Sequence, residues 1–411
     1  MQRAVLNWSA MRVAEATAEA VFGCASSHGS LWPTRTATSA FNTIKPQILK
    51  RPKKDANMGI NRTSGKRVSA SQRDAVTAQN NQATICKPWK SLAAVAFGLL
   101  LSVPGLAQVK YSFSTIDVPG AKATEHNGNS TDAIVGQFFD AQEITRGFVL
   151  NKGSFTTIDV PLALAPGVVP GVVGTSINGI NASGQVVGTY VVKFNMSGGF
   201  TTTHAFFKDN KENSNFLPLD PFNIRSQGGF INTQGQVVGT YRDNTNNHKR
   251  HGFIWDNVNG FTTLDINAPG DDPKLGTVAF GINDFGEVVG NYVAAGDVNP
   301  DGSAKHRHGF LRSSDGKSFT TFDVTGASIT IGEGINNGHT IVGVYVLAAD
   351  GTMHGFVLKD GGFSTVDVPD LNGNAQQTEI NSINANGEIV GFYVDSKEKG
   401  THHGFLGVPV P

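Results

Sequence analysis

Five histidines and five aspartates recur at matched positions, and they are the residues best equipped for chemistry. His204, His251, His308, His354 and His403 each open a His-Gly-Phe or His-Ala-Phe triplet, and Arg146 takes that place once. Asp159, Asp220, Asp265, Asp323 and Asp367 each end a stretch resembling Phe-Thr-Thr-Ile-Asp. Imidazole beside carboxylate makes an acid–base pair, and a ring of imidazoles makes a metal site. Repetition argues against both, because a catalytic site is singular. Ligands on separate repeats also stand too far apart for one zinc, whose ligands lie about 2 Å away. The expected role is structural: each His bonds the Asp of its own repeat across adjacent strands, giving buried polar groups their partners.

A second group lies in the stretch Asp-Val-Asn-Pro-Asp-Gly. Asp297, Asn299 and Asp301, followed by Gly302, resemble the first half of a calcium loop. Hard oxygens at alternate positions converge where a glycine permits a sharp turn. The bidentate Glu expected at the twelfth position is missing, and His308 stands there. A short calcium loop and a plain turn both remain open, and calcium is the one candidate cofactor. No Gly-x-Ser-x-Gly, His-Glu-x-x-His or P-loop pattern occurs. A polysaccharide hydrolase would need paired carboxylates. Asp271, Asp272 and Glu333, assigned to variable loops, are the candidates for that role.

These residues are placed by a repeated hairpin. An Ile-Asn turn stands at Ile180-Asn181, Ile231-Asn232, Ile282-Asn283, Ile335-Asn336 and Ile383-Asn384, with a degenerate copy at Gly128-Asn129. A Val-Gly strand follows, its glycines at 136, 188, 239, 290, 343 and 391, giving spacings of 52, 51, 51, 53 and 48 residues. Two residues after each glycine comes an aromatic: Phe138, Tyr190, Tyr241, Tyr292, Tyr345 or Tyr393. Each repeat therefore holds four β-type runs: A (Ile-Asn), B (Val-Gly), C (His-Gly-Phe) and D (Phe-Thr-Thr-Ile-Asp). Four strands in about 50 residues is the size of a propeller blade.

The phase of the repeat predicts the architecture. The body opens on a D run, Tyr111–Val118, and ends on a C run, His403–Leu406. The expected fold is all-β: a six-bladed β-propeller of four-stranded blades, with residues 111–118 completing the last blade and closing the ring. Closure removes the open sheet ends of an unclosed stack. The Asn of run A and the Gly at the fifth position of Ile-Asn-x-x-Gly are expected to build the turn. In the fifth repeat, Gly338-His339 is expected to shift that glycine by one.

The His-Ala-Phe of residues 204–206, the Ile-Asn-x-x-Gly-x-Val-Val-Gly-x-Tyr hairpins and the Phe-Thr-Thr-Ile-Asp-Val-Pro-Gly-like endings together resemble the HAF family of extracellular repeat proteins. The resemblance spans nearly all of 111–406. It implies secretion and a repeat architecture, and it implies no activity.

Composition bounds the partners. The 411 residues carry 33 Lys+Arg and 33 Asp+Glu, but residues 1–107 hold 14 basic and 4 acidic ones. The remainder holds 19 basic and 29 acidic residues, so no basic stripe is available for a nucleic acid. Both cysteines, Cys24 and Cys86, precede that acidic body. Lys87 and Lys90, the apolar run Ser91–Val103 and the small residues before 108 read as a secretory signal over 87–107. A run of that length is too short to span a bilayer. Residues 1–86 are expected to be a disordered extension from a translation start placed too early, with Met58 as an alternative start. Residues 108–411 form the propeller, which carries no membrane span once the signal is removed.

Loop length varies in the B–C and D–A connections, which share one face. Pro161–Ser176 and Val293–Arg307 stand out among them. The leading reading is a secreted, non-enzymatic binding or interaction propeller. Its extracellular ligand, a glycan, a surface polymer or a protein, is held on that face. A polysaccharide hydrolase or lyase, and a purely structural surface protein, are the alternatives. Calcium titration followed by melting temperature separates loop from turn at Asp297–Asp301. A rise at millimolar calcium marks an ion site, and no change marks a turn.

Overall fold

The computed structural model describes residues 109–161, 170–194, 201–211, 214–220, 225–243, 249–266, 275–370, 374, 376–395, 397–398 and 400–410. The expected extension (1–86) and signal (87–107) lie outside the described residues. The described residues form 24 strands, and none of their helices is long and apolar enough to cross a membrane.

The first two repeats share one sheet. It contains β2 (Ala123–Asn129), β3 (Ala133–Phe139), β4 (Thr145–Asn151) and β5 (Ser154–Ile158), then β6 (Pro170–Ile180), β7 (Val186–Phe194), β8 (Thr201–Lys208) and β9 (Phe216–Pro218). A single parallel bridge, Thr145 to Gly174, joins these two groups of four. The next three sheets are four-stranded and antiparallel. One holds β10 (Ser226–Ile231), β11 (Val237–Arg242), β12 (Arg250–Asp256) and β13 (Gly260–Leu264). The next holds β14 (Thr277–Ile282), β15 (Val288–Tyr292), β16 (His308–Arg312) and β17 (Phe319–Phe322). The third holds β18 (Ala327–Ile335), β19 (Ile341–Leu347), β20 (Met353–Lys359) and β21 (Gly362–Thr365). The last sheet joins β22 (Gln377–Ile383), β23 (Ile389–Asp395) and β24 (Thr401–Val410) to β1 (Lys110–Thr115). Its outer strand therefore comes from the other end of the described chain, paired antiparallel from Lys110 opposite Val410 to Thr115 opposite Phe405.

Burial explains the composition of each run. The second strands are covered on both faces, so β15 is buried throughout and reads Val-Val-Gly-Asn-Tyr. The outer strands are half exposed, as in β17, and use threonine on their wet side. Each triplet phenylalanine meets the phenylalanine of the outer strand edge to face. Phe148–Phe155 (5.4 Å), Phe253–Phe261 (5.4 Å) and Phe356–Phe363 (5.3 Å) show the arrangement. Phe405 makes the same contact with Phe113, at 5.7 Å, so β1 packs as the other outer strands do.

All six A–B strand pairs carry a register shift at the same place. The Val-Gly glycine lies beside that bulge. A Cβ at Gly188 or Gly290 would run into the carbonyl oxygen of Ser176 or Val278 on the paired strand. No side chain fits there, which is why the position is glycine in every repeat.

The Ile-Asn asparagine does more than build its turn. Asn232 Oδ1 accepts the Gln236 N–H at 2.9 Å, as a turn residue should. Its Nδ2 donates across to the carbonyl of Asn283 in the next repeat, at 3.1 Å. Asn181 donates likewise to Asn232 (2.9 Å), Asn283 to Asn336 (3.3 Å), Asn336 to Asn384 (3.1 Å) and Asn384 to Ser130 (3.1 Å). Each amide thus staples its own hairpin and latches it to its neighbour.

Two details of the turns differ from expectation. In the first repeat Ser130, not Asn129, receives the latch, and Ser130 N–H donates to the Ala133 carbonyl. That turn is one residue shorter, so the constant spacing from Gly128 to Gly136 aligns the repeat one residue out. In the fifth repeat the turn does not shift. His339 itself takes the left-handed backbone, at φ 56°, where Gly184, Gly235, Gly286 and Gly387 sit elsewhere. Its ring stacks on Phe285 at 5.5 Å, and its Nδ1 bonds Glu287 at 2.8 Å. These contacts offset a conformation that costs about 1–2 kcal/mol outside glycine.

Asn232→Ala is expected to destabilise the protein by about 1–3 kcal/mol, because the Asn283 carbonyl and the turn N–H lose partners. Gln234→Ala, exposed on the same turn, is expected to change stability by less than about 0.5 kcal/mol. Urea unfolding of both variants measures the difference.

Candidate functional site

Every predicted imidazole–carboxylate pair is formed at one edge of the sheets. Nδ1 of His204 meets Asp220 at 3.0 Å, and Nδ1 of His251, His308 and His354 meets Asp265, Asp323 and Asp367 at 2.8 Å. Arg146 Nη1 donates to Asp159 at 2.6 Å. His403 pairs with Asp117, just beyond β1, at 2.7 Å. The pairs arise because third and outer strands run antiparallel, bringing the start of one beside the end of the other.

The ring above each histidine is the repeat tyrosine. Tyr241 lies directly opposite His251 in the ladder, and their rings stack at 5.0 Å. The same stacking joins Tyr190 to His204 (5.3 Å), Tyr345 to His354 (5.2 Å) and Tyr393 to His403 (5.4 Å). The tyrosine hydroxyl then reaches a threonine of the outer strand, as Tyr345 does Thr365 at 2.8 Å. With Tyr241 on Thr263 and Tyr393 on Thr115, three repeats build one cross-strand unit from a Tyr, a His, an Asp and a Thr.

A further partner sits on the other ring nitrogen, and it escaped the sequence reading. Nε2 of His251, His308 and His403 faces Asp243 (3.4 Å), Asp297 (2.9 Å) and Glu398 (3.3 Å). Arg146 Nε donates to Asp140 at 2.8 Å in the same way. In the other two repeats Nε2 meets a hydroxyl, Thr202 at 2.8 Å or Thr352 at 2.9 Å. A carboxylate only accepts, so a histidine between two of them must donate from both nitrogens. Those three seats hold imidazolium, and the fourth holds a guanidinium in its stead. The signal was in the sequence as an acid before each of these triplets, at variable distance in the B–C loop.

The electrostatics agree. The hydrogen bond to Asp323, helped by Asp297, pushes His308 up to about 9 against the opposing effect of burial. The hydrogen bond to Asp265 raises His251. For His403 burial acts downward, but Asp117 and Glu398 outweigh it and the net shift is upward. His126 is the contrast. Fully buried beside β24, it is pushed down to about 4 by desolvation, and its Nδ1 bonds the Phe405 carbonyl at 3.1 Å. It is a neutral core histidine.

The side chains of the Asp297–Asp301 stretch bond residues around them. Asp297 faces His308 (2.9 Å), Asn299 Nδ2 donates to Ser303 Oγ (3.0 Å), and Asp301 accepts the Ser303 N–H (2.9 Å) and hydroxyl (2.6 Å). Among the described residues, a different trio comes close enough to share one divalent ion. Ligand atoms of Asp395, Glu398 and His403 lie within 4.8 Å of one another. Asp117 orients that imidazole as a second-shell carboxylate would. Asp395 is at the same time engaged by the Lys397 (2.6 Å) and Glu398 (3.2 Å) N–H groups of its own loop.

Of the carboxylates considered for hydrolysis, one is described. Glu333 is not on a loop: it lies within β18, 0 % exposed. Asp271 and Asp272 lie outside the described residues. Of the Pro161–Ser176 stretch, residues 170–176 belong to β6 rather than to a loop, and 162–169 lie outside the described residues. A cavity of about 570 Å³ opens beside them, lined by Ile144, Arg146, Asp159, Val160, Val172 and Val173 among others. At the opposite edge, a depression of about 130 Å³ is ringed by the Ile-Asn turns of all repeats. It is built from the latches and belongs to the scaffold.

No protein-family model matches the chain, and no curated protein matches it. Among solved structures it is similar to a streptogramin B lyase, with 9 % identity over 74 % of this chain and 98 % of that one, TM-score 0.39. It is similar to the Hadza microbial sialidase Hz136, with 11 % identity over 71 % of this chain and 66 % of that one, TM-score 0.46. It is also similar to an Aleuria aurantia lectin in complex with α-methyl-L-fucoside, with 13 % identity over 72 % and 97 %, TM-score 0.39. Likenesses this distant carry no residue, ligand or activity onto this chain.

The imidazolium seats set a pH dependence. A histidine whose folded value is raised adds stability that is complete below about 6.5 and is lost as pH rises through the folded value. The melting temperature is therefore expected to fall between pH 6.5 and 9 through His308, with His251 and His403 contributing in the same direction. In His308→Gln that fall is expected to shrink. Thermal melts across this range, together with an NMR titration of the His308 ring, measure both.

Proposed function

We propose that residues 108–411 form a secreted, six-bladed β-propeller of the HAF kind that binds an extracellular ligand through its B–C and D–A loops and catalyses no reaction. One observation carries this reading. The acid, base and aromatic groups repeated along the B–C/D–A edge are bonded to one another in every repeat. His251, His308 and His403 are each held between two carboxylates, where a base is not free to move a substrate proton, and His204 and His354 have both ring nitrogens engaged by an Asp and a Thr. The repeated groups are thus spent on the scaffold, and recognition falls to the loops, which differ from repeat to repeat.

The closed ring is supported by β1 as fourth strand beside β24, by Phe113 on Phe405, and by the latch from Asn384 to Ser130. Secretion is supported by the charged and apolar pattern of residues 87–107. The ligand is a glycan, another surface polymer or a protein.

Screening the full chain on a glycan array and against polysaccharides in a reducing-sugar assay tests the proposal. Binding without release of reducing ends is the expected result. Release of sugar that follows the protein through purification would overturn it in favour of a hydrolase.

A further inference from the structure

Two neighbouring repeats depart from the turn pattern, and their exceptions meet. Two residues after the turn asparagine stand Ser183, Gln234, Gly338 and Asn386, but the fourth repeat has Phe285 there. Phe285 is 56 % exposed, and no other phenylalanine among the described residues exceeds 38 %. One residue further on, four repeats have glycine and the fifth has His339, its side chain 61 % exposed. The two rings lie within 15° of parallel, with centroids 5.5 Å apart. Parallel rings at that separation are offset, so they form one stepped shelf spanning two repeats.

The turn itself does not require either residue. Glycine takes the His339 position elsewhere without strain. The imidazole is instead kept at φ 56° by its contacts with Phe285 and Glu287. A strained residue that its surroundings hold in place points to a function. Polar groups border the shelf. Glu287 bonds Nδ1 of His339 at 2.8 Å and is itself held by Asn283 Nδ2 at 2.6 Å. A carboxylate only accepts, so Nδ1 carries the proton, and Nε2 is left at the outer end of an exposed side chain. The residue before Phe285 is Asp284, fixed by the Thr233 hydroxyl of the third repeat (2.7 Å) and the Asn337 amide of the fifth (2.7 Å).

We infer that Phe285 and His339 are a stacking shelf for a pyranose ring of a neutral glycan. A pyranose carries C–H groups on its flat face and hydroxyls around its rim. The shelf has the same division, with aromatic faces in the middle and Nε2, a carboxylate and an amide at the border. A hydroxyl both donates and accepts, so it suits all three. Asp284 and Glu287 disfavour an acidic glycan, as does the acidic body around them. The latches from Asn232 to Asn283 and from Asn283 to Asn336 pin the turns, so the shelf is formed before a ligand arrives. It lies on the Ile-Asn turns, at the edge opposite the B–C and D–A loops. It is therefore a second contact and does not rest on the loop-face reading.

NMR titration of the full chain, with isotope-labelled Phe and His, tests the inference alongside calorimetry. The probes are cellohexaose, mannohexaose and trigalacturonate. The Phe285 and His339 ring signals are expected to shift with a neutral hexaose and not with trigalacturonate, and the affinity is expected to hold as salt is raised. Phe285→Ser installs the residue of the second repeat, and His339→Gly installs the residue of four repeats. Phe285→Ser is expected to weaken binding about ten-fold, and His339→Gly to act in the same direction. Both variants are expected to keep the wild-type melting temperature, because the turn accepts these residues elsewhere in the chain. Hexaose binding that both variants leave unchanged overturns the shelf and leaves the loop-face reading standing. Ring signals that neither hexaose moves, or a preference for trigalacturonate, overturn it as well.

Discussion

The structure depends on one side-chain amide used in two directions. Each Ile-Asn asparagine holds its own hairpin through Oδ1 and donates through Nδ2 to the main chain of the next repeat. A carbonyl can only accept, so the direction of the amide is set by the partner it must satisfy. The latch fixes the spacing of the inner strands, and the bulge beside it sets the glycine that follows. A second tier of amides makes the same kind of link deeper in. Asn127, Asn178 and Asn381 donate to the carbonyls of Ile177, Gly228 and His126. Where Gly229, Phe280 and Glu333 replace them, the outer latch remains.

The histidine positions show how a repeated group becomes scaffold. Four of the six seats lie between two acids, and one of those four is filled by arginine. A seat that accepts arginine in place of histidine requires a positive charge, not a base that gives and takes protons. The two seats with a threonine on the outer nitrogen work with one acid. At the four seats between two acids, the cation already has a carboxylate on either side.

The fold was largely legible because the repeat is internally consistent. Each landmark turned out to touch another landmark: phenylalanine on phenylalanine, tyrosine on histidine, histidine on aspartate. The last of these, histidine on aspartate, was anticipated from strand direction. The misreadings came where one residue's context outweighed its pattern. Gly128-Asn129 aligns by spacing, yet Ser130 takes the latch because its turn is shorter. His339 sits where glycine is expected because Phe285 and Glu287 hold its ring. Glu333 was assigned to a loop, yet it stands two residues before Ile335, inside the first strand as Asn178, Phe280 and Asn381 are in theirs.

The sequence by itself determined the four-strand unit, its repetition, the spare strand at one end and the His–Asp pairing, because these follow from local periodicity and from antiparallel geometry. Only the tertiary structure decided the second partner of each histidine and the neighbour that each asparagine holds. Those contacts join residues from different loops or different repeats. Their distance along the chain carries no period, and the register between strands had to be in place before they met.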